Sequence, residues 1–544
     1  MCSKAFYRSF SFLSLYRLLL RRLKFAHGTN LKLQKFPSLD SLGTSYTRHH
    51  LVFDLEGGLL RSTTTFPYFM LVALEAGSFL RGLALLLLYP LICCLSHDMG
   101  IRVMTMVAFC GVRVKGFRLG RAVLPKHFLE DVGLEAFEVF GKFNTRICFS
   151  GMPRVMVEGF LKEYLGVEVV VGREIREFGG YFTGLMEDQG KMALPEVKRE
   201  VELHAKQSGK NGVVGFGGLQ ALSACDIFST CKEVYLVSEA DKRKWQSLPR
   251  SRYPKPLIFH DGRIALRPTP LKSLSLFLWL PLSVPLAITR AIAFLLLPRY
   301  LHIPILACLG MVSRKIIKNS QYNEQTCTDA EITRQVADTD NCFKGHVYVC
   351  NHRTLFDPLY ISGALGRDVI ATTYSVSRVA EFLSPIKTIR LTRNKEVDRK
   401  KMETLLSEGE IVVCPEGTTC REPYLLRFSP LFAELNPVIT PVALTSHVGM
   451  FYGTTASGKK YLDPLYFVMN PSAHYTVEIL DKVDTSNGDN LGKQWRNGYY
   501  EVANYVQSKI GKALGFECTK LTRRDKYLML ADNEGIVEAV SNER

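Results

Sequence analysis

The sequence predicts an α/β protein, with two α/β domains on either side of an apolar helical region. Twice, a short apolar run gives way to a bend that carries acids or a histidine. Residues 51–53 precede Asp54-Leu55-Glu56-Gly57-Gly58, and residues 347–350 precede Asn351-His352. Buried strands that run into loops read this way. Between them, residues 271–309 form the most hydrophobic stretch of the chain.

Composition narrows the possible classes. The chain has 544 residues, enough for several domains. Hydrophobic residues make up 47%, which suits a protein in or on a membrane. The formal net charge of +17 favours anionic partners such as lipid headgroups or phosphorylated substrates. No zinc-finger spacing or RNA-binding signature accompanies that charge, so nucleic acid is not the expected partner. The fourteen cysteines are scattered without a C-x-x-C pair, which reads as reduced thiols rather than a disulfide framework.

Residues 1–46 form a basic segment whose first acid is Asp40. It is either a mitochondrial targeting sequence or a membrane-proximal tail that stays on the protein. Residues 47–248 make the first α/β domain. Inside it, residues 66–95 are apolar apart from interruptions such as Glu75 and Arg81. A span needs about 20 apolar residues. The insertion is therefore a strained span, a membrane-embedded hairpin broken near Pro90, or a buried cap helix. Residues 249–310 read as a linker followed by a membrane-embedded helical hairpin, because Pro281, Pro285, Pro298 and Pro304 should break a single long helix. Residues 311–525 make the second α/β domain, with a helix expected over 397–408. Residues 526–544 read as a solvated, charged tail.

His352 and Asp357 stand five apart across a strand-to-loop bend. A carboxylate there can accept from one imidazole nitrogen, fix the tautomer and leave the other as a general base. If an alcohol on a second substrate attacks, no serine or cysteine nucleophile is required. The plainer reading is a histidine that caps a helix or satisfies its own loop.

Further blocks reduce the weight of that plainer reading. Arg390-Leu391-Thr392-Arg393-Asn394-Lys395, Pro415-Glu416-Gly417-Thr418-Thr419-Cys420-Arg421 and the apolar run with Pro441 follow in order. The set resembles the blocks of the glycerolipid acyltransferases and is most similar to the land-plant glycerol-3-phosphate acyltransferases. The resemblance implies acyl transfer from acyl-CoA to glycerol-3-phosphate, with His352 as base and Asp357 as its holder. It implies Arg393 and Lys395 as phosphate ligands, and Glu416, Gly417 and Thr418 as residues that position the acceptor. Arg421 is then a further phosphate contact. Backbone amides near Asn351 or Gly417 are candidates for the oxyanion hole. No metal is needed for the transfer. A lysophospholipid acceptor, a bifunctional enzyme and a non-catalytic scaffold are the alternatives. The expected setting is an integral membrane protein of the endoplasmic reticulum or mitochondrion.

The N-terminal motif resembles D-x-D-G-T-L-L of the haloacid-dehalogenase-like (Rossmann-like) phosphatases. Asp54 matches the first position, Glu56 replaces the second aspartate, and Gly58 replaces the threonine. Ser150 fits the phosphate-binding serine, Gly215-Phe216-Gly217-Gly218 lacks an expected carboxylate, and Asp226 remains further on. The domain is expected to be a degenerate phosphatase, with magnesium required only if it is active.

Overall fold

The computed structural model describes residues 32–35, 50–187, 213–218, 228, 231, 233–317, 346–373, 384, 386–435, 438–456, 460–483 and 498–534. Asp226, residues 1–31, and the distal tail from residue 535 lie outside them. The chain forms two compact units: residues 1–257 with 268–270, and residues 258–267 with 271–544.

The N-terminal unit holds a six-stranded sheet of β1 (Lys32–Lys35), β2 (His50–Asp54), β3 (Thr145–Pro153), β4 (Val169–Arg173), β7 (Val213–Gly218) and β8 (Glu233–Val237). The order is β1-β8-β7-β2-β3-β4, and every pairing is parallel. A hairpin of β5 (Ile175–Phe178) and β6 (Tyr181–Met186) stands apart. All five residues of β2 are buried, as expected of a parallel strand covered on both faces. The chain leaves β2 for β3 and β4 on one side, and β7 and β8 fill the other. The reversal puts the C-terminal end of β2 at the switch point, where α/β sheets place ligands.

The apolar insertion divides into two. Helix α1 (Phe66–Val72) is wholly buried, and α2 (Phe79–Cys94) exposes Leu80, Leu87 and Leu91. The expected break near Pro90 does not occur. The helix runs through Pro90, and the chain breaks at Ser78, whose backbone is extended and whose side chain caps α2 by accepting from the Arg81 amide.

The C-terminal unit holds a seven-stranded sheet in the order β12-β11-β13-β10-β15-β16-β9. Its strands are β9 (Met311–Ile317), β10 (His346–Cys350), β11 (Ile370–Thr373), β12 (Thr388–Arg390), β13 (Ile411–Val413), β15 (Val438–Val448) and β16 (Ala473–Ile479). Only β15 and β16 pair antiparallel. A small ladder joins β14 (Tyr424–Leu425) to β17 (Glu517–Cys518). Along β10 the alternation is regular. Val347 and Val349 pack in one core with Val506 and Ile510 of helix α3 (Tyr499–Leu514); Tyr348 and Cys350 pack in the other with Ile361 and Tyr475.

The segment 258–267, expected to be linker, belongs to this unit. Asp261 accepts from the Ala456 amide at 2.9 Å, and Ile264 bridges Phe451. Helix α4 (Arg523–Ala531) likewise extends the unit past residue 525. It buries Lys526, Tyr527 and Leu530, so the start of the expected solvated tail is packed.

Helix α5 (Pro270–Leu296) is the one described helix long and apolar enough to cross a membrane. Neither Pro281 nor Pro285 interrupts it, contrary to the expectation of a break; the helix stops before Pro298 and α6 (Arg299–Cys308) follows. Within it, Ser283 Oγ donates to the Leu280 carbonyl at 2.7 Å, and Thr289 Oγ1 to that of Pro285 at 2.9 Å. One stripe of α5, Leu276, Ser283, Ala287, Arg290 and Ala293, is buried, while Leu278, Leu282, Ile288 and Ile292 face outward. Arg290 explains the charge in so apolar a segment. Its guanidinium is 1% exposed and donates to the carbonyls of Leu309, Val468, Asn470 and Pro471. Trp279 adds a bond to the Met469 carbonyl at 2.8 Å.

Replacing Arg290 with methionine keeps the length and removes every donor. Orphaned buried carbonyls cost about 1–3 kcal/mol each. Arg290→Met is expected to lower the thermal midpoint of the detergent-solubilised protein and to expose α5 to limited proteolysis. Melting and cleavage mapping check both.

Candidate active site

Strand register builds the C-terminal site. Val349 pairs with Val413 across parallel β10 and β13, so the two strands release their loops side by side. One loop carries Asn351-His352 and the other Pro415-Glu416-Gly417. Asn351 anchors the first loop to β15 with two bonds to Leu444, its amide donating at 3.0 Å and its oxygen accepting at 2.8 Å. Glu416 ties the loops together. Its buried carboxylate accepts from the amides of His352 at 2.7 Å and Leu426 at 2.9 Å. Burial pushes Glu416 up to about 7, against the pull of those two amides. Gly417 turns the loop at φ +64°, a left-handed conformation that glycine adopts without a Cβ penalty.

His352 Nδ1 meets Asp357 Oδ2 at 2.7 Å. Asp357 is fully buried at the start of helix α7 (Asp357–Leu365). The same Oδ2 accepts from the Arg353 amide at 2.7 Å, and Oδ1 accepts from the Thr354 amide at 3.0 Å and from the Tyr475 hydroxyl. Tyr475 lies on β16, shares a 2.9 Å bond with Thr354 Oγ1, and stacks on Tyr360 with ring centroids 3.9 Å apart. Four donors therefore fix one carboxylate, which fixes one imidazole. The sequence reading had no handle on Tyr475, which is 118 positions from Asp357. Burial works against a charged His352, but Cys414 and Asp357 prevail and hold its pKa well above the ordinary imidazole value.

The other expected residues divide into two groups. Arg393, Lys395, Glu416 and Gly417 line one cavity of about 540 Å³, together with Arg427, Tyr500 and Arg523. Arg393 has a left-handed backbone at φ +67°, uncommon for a residue with a Cβ. Buried Asp398 stabilises that turn by accepting from the amides of Thr392 at 2.6 Å and Arg393 at 2.7 Å. Burial, then the nearby Arg393 charge, lower the pKa of Arg523, so two guanidiniums converge on this space. Lys395 also pairs with Glu434 at 2.9 Å. Arg427 and Arg523 were missed because they lie outside the motif blocks.

Arg421 and Thr418 are placed elsewhere. Arg421 donates to the carbonyls of Gly262 and Thr454 and lies over the Tyr452 ring at 4.1 Å, and it is not among the residues that line the Arg393 cavity. Thr418 faces the buried ammonium of Lys526 at 3.3 Å. The amides of His352, Arg353 and Gly417 are already engaged, the last with the Cys414 carbonyl at 3.2 Å. They are not ready as an oxyanion hole.

In the N-terminal unit, Asp54 ends β2 against β3 and β7. Gly57 is required there, since a Cβ would meet Asp54 Oδ2 at 2.0 Å and the Gly218 amide at 2.6 Å. Glu56 turns onto Ser150, accepting from its hydroxyl at 2.6 Å and from the Met152 amide at 2.9 Å. Lys242, which the sequence reading did not single out, is buried and donates to the Glu56 carbonyl. Burial, then the Glu56 charge, push Asp54 up to about 8. Magnesium takes several anionic or neutral oxygens in octahedral array. Among the described residues, Glu56 is already bonded to Ser150 and the Met152 amide, and Gly218 offers no side-chain oxygen, so this strand end presents few ligands to that ion.

Tyr475→Phe removes one hydroxyl from Asp357 and leaves the ring stack. The carboxylate then becomes more basic and holds the proton on His352 more firmly. One neutral hydrogen bond corresponds to up to about one pH unit. The acid limb of the rate profile is expected to move to higher pH by that amount, lowering the rate roughly tenfold on its acid side. A kcat/KM profile from pH 5 to 9 checks it.

Comparison with known proteins agrees with both units. A family model described as "Glycerol-3-phosphate acyltransferase RAM2-like, HAD-like domain" matches residues 50–237, and an acyltransferase model matches 330–445. "Probable glycerol-3-phosphate acyltransferase 3" of Arabidopsis thaliana is 50% identical over 528 residues, covering 96% of this chain and 97% of its own. "Glycerol-3-phosphate acyltransferase 1" of the same plant is 41% identical, with 91% and 84% covered. "Glycerol-3-phosphate acyltransferase RAM2" of Petunia hybrida is 41% identical, with 89% and 97% covered. With an N-terminal haloacid-dehalogenase-like domain and a C-terminal acyltransferase domain, the chain belongs to the plant glycerol-3-phosphate acyltransferase family.

Proposed function

We propose that this chain transfers an acyl group from acyl-CoA to a hydroxyl of glycerol-3-phosphate, giving lysophosphatidate. The observation that carries the reading is the His352–Asp357 pair, bonded at 2.7 Å and joined through Glu416 to the wall of a cavity lined by Arg393, Arg427 and Arg523. The free imidazole nitrogen takes the hydroxyl proton as oxygen attacks the thioester carbonyl, and the CoA thiolate leaves. General-base catalysis of this kind contributes about 10²–10⁴-fold. The guanidiniums hold the acceptor phosphate, for which arginine offers bidentate geometry. Lys395 is a second cation at the same rim.

The apolar outer rows of α5 and α2 support contact with a bilayer, from which the acyl chain would enter. The organelle is the endoplasmic reticulum or the mitochondrion. No phosphatase step follows from the N-terminal unit, because Glu56 occupies the hydroxyl that would bind phosphate. Lysophosphatidate, not monoacylglycerol, is therefore the expected product.

The test uses membranes from cells lacking this activity, given labelled glycerol-3-phosphate and a panel of acyl-CoAs. Lysophosphatidate should form with the parent and not with His352→Ala. Arg523→Gln should raise KM for glycerol-3-phosphate about tenfold, the equivalent of one charge-assisted bond. Monoacylglycerol as the main product would overturn the silent phosphatase, and no product with any donor would overturn the transfer.

A further inference from the structure

Two cysteines stand at the catalytic histidine, and the proposed reaction uses neither. Cys350 ends β10, and Cys414 follows β13. Because Val349 pairs with Val413, the two occupy the next matching positions on neighbouring parallel strands. Their sulfurs lie 3.4 Å apart. Cys414 Sγ, a His352 ring nitrogen and an Asp357 oxygen all lie within 4.8 Å of one another. Cys414 is partly exposed, whereas Cys350 is fully buried.

We infer that Cys414 is a peroxide-sensitive modification site, with Cys350 as its resolving thiol, and that the disulfide between them switches the acyltransferase off. The partly exposed Cys414 reacts first and the buried Cys350 second. The Cys414 thiolate attacks the peroxide O–O bond, forming the sulfenic acid and releasing hydroxide or water. The Cys350 sulfur then attacks the sulfenic sulfur, the S–O bond breaks, and water leaves with the Cys350 proton. Two thiols are oxidised and one peroxide is reduced. The environment suits these roles. The Cys350 hydrogen bond, with the imidazole adding to it against burial, brings Cys414 down to about 6. The Cys414 hydrogen bond and burial keep Cys350 well above the ordinary thiol value. A low-pKa, partly exposed thiol beside a buried partner resembles the arrangement redox-sensing cysteines use.

The consequence for catalysis follows from position. A disulfide holds its sulfurs about 2.05 Å apart, so closing the gap draws sulfur by more than an ångström at residues next to His352 and Glu416. Misplacement on that scale can cost about a hundredfold in rate. The effect on rate rests on the acyl-transfer reading; the disulfide itself does not.

The experiment treats the full-length protein in detergent micelles with hydrogen peroxide, then maps thiols by peptide mass spectrometry and assays each sample against its own reduced rate. The parent should lose activity about a hundredfold. It should show a Cys350–Cys414 peptide pair lacking two hydrogens, and recover with dithiothreitol. Cys350→Ala should instead accumulate a Cys414 sulfenic acid that dimedone traps. Cys414→Ala should form no such pair and keep its own reduced rate under peroxide, although other exposed cysteines oxidise. The inference is overturned if no Cys350–Cys414 pair forms while those others oxidise, or if Cys414→Ala is inactivated as the parent is. A mapped pair in a preparation with no acyl transfer under any condition would keep the disulfide and sink the proposed function.

Discussion

The C-terminal site depends on a carboxylate with no exposed surface. Asp357 accepts from an imidazole, two amides and a tyrosine hydroxyl. Burying a carboxylate costs several kcal/mol, and bonds to charged groups return about 1.5–3 kcal/mol each, so four donors offset the cost where one would not. The same device recurs at Glu416, which joins the loops that follow β10 and β13, and at Asp398, which holds the left-handed turn of Arg393. Each buried acid organises a loop by accepting backbone N–H groups. The loops can therefore be irregular and still present fixed side chains.

The two units make opposite use of one architectural position. Both place acids where a parallel strand ends at a switch point. In the C-terminal unit the acid is saturated by donors, one of them the imidazole beside it. In the N-terminal unit Asp54 lacks such a set, its carboxyl sits at about 8, and Glu56 is spent on Ser150. The extra methylene of Glu56 matters here, because it lets the carboxylate reach across to β3.

What the sequence made legible was local. Apolar runs ending in bends located β2 and β10, and five-residue spacing brought His352 to Asp357. Contacts between distant segments were not legible. Tyr475, Arg523 and Lys242 reach their partners only through the folded sheet. Helix α5 was misread for a related reason. Proline argues for a break, but one stripe of the helix is buried against protein, which keeps it whole. Arg290, a charge within so apolar a stretch, is the group that docks the helix. Lys526 looked like tail and is buried against Thr418 and Thr419.

The central claim is that Asp357 orients His352 as the base for acyl transfer. Asp357→Asn tests it most directly, since the amide preserves size but keeps an acceptor on one side alone, sets a donor of its own against two of the four donors, and cannot hold the same tautomer. In the comparable arrangement of serine proteases that exchange costs about 10⁴-fold in kcat. The account predicts a loss of about 10³–10⁴-fold in kcat, little change in KM for glycerol-3-phosphate, and an intact fold by circular dichroism. A folded Asp357→Asn enzyme that turns over within a few-fold of the parent would contradict it.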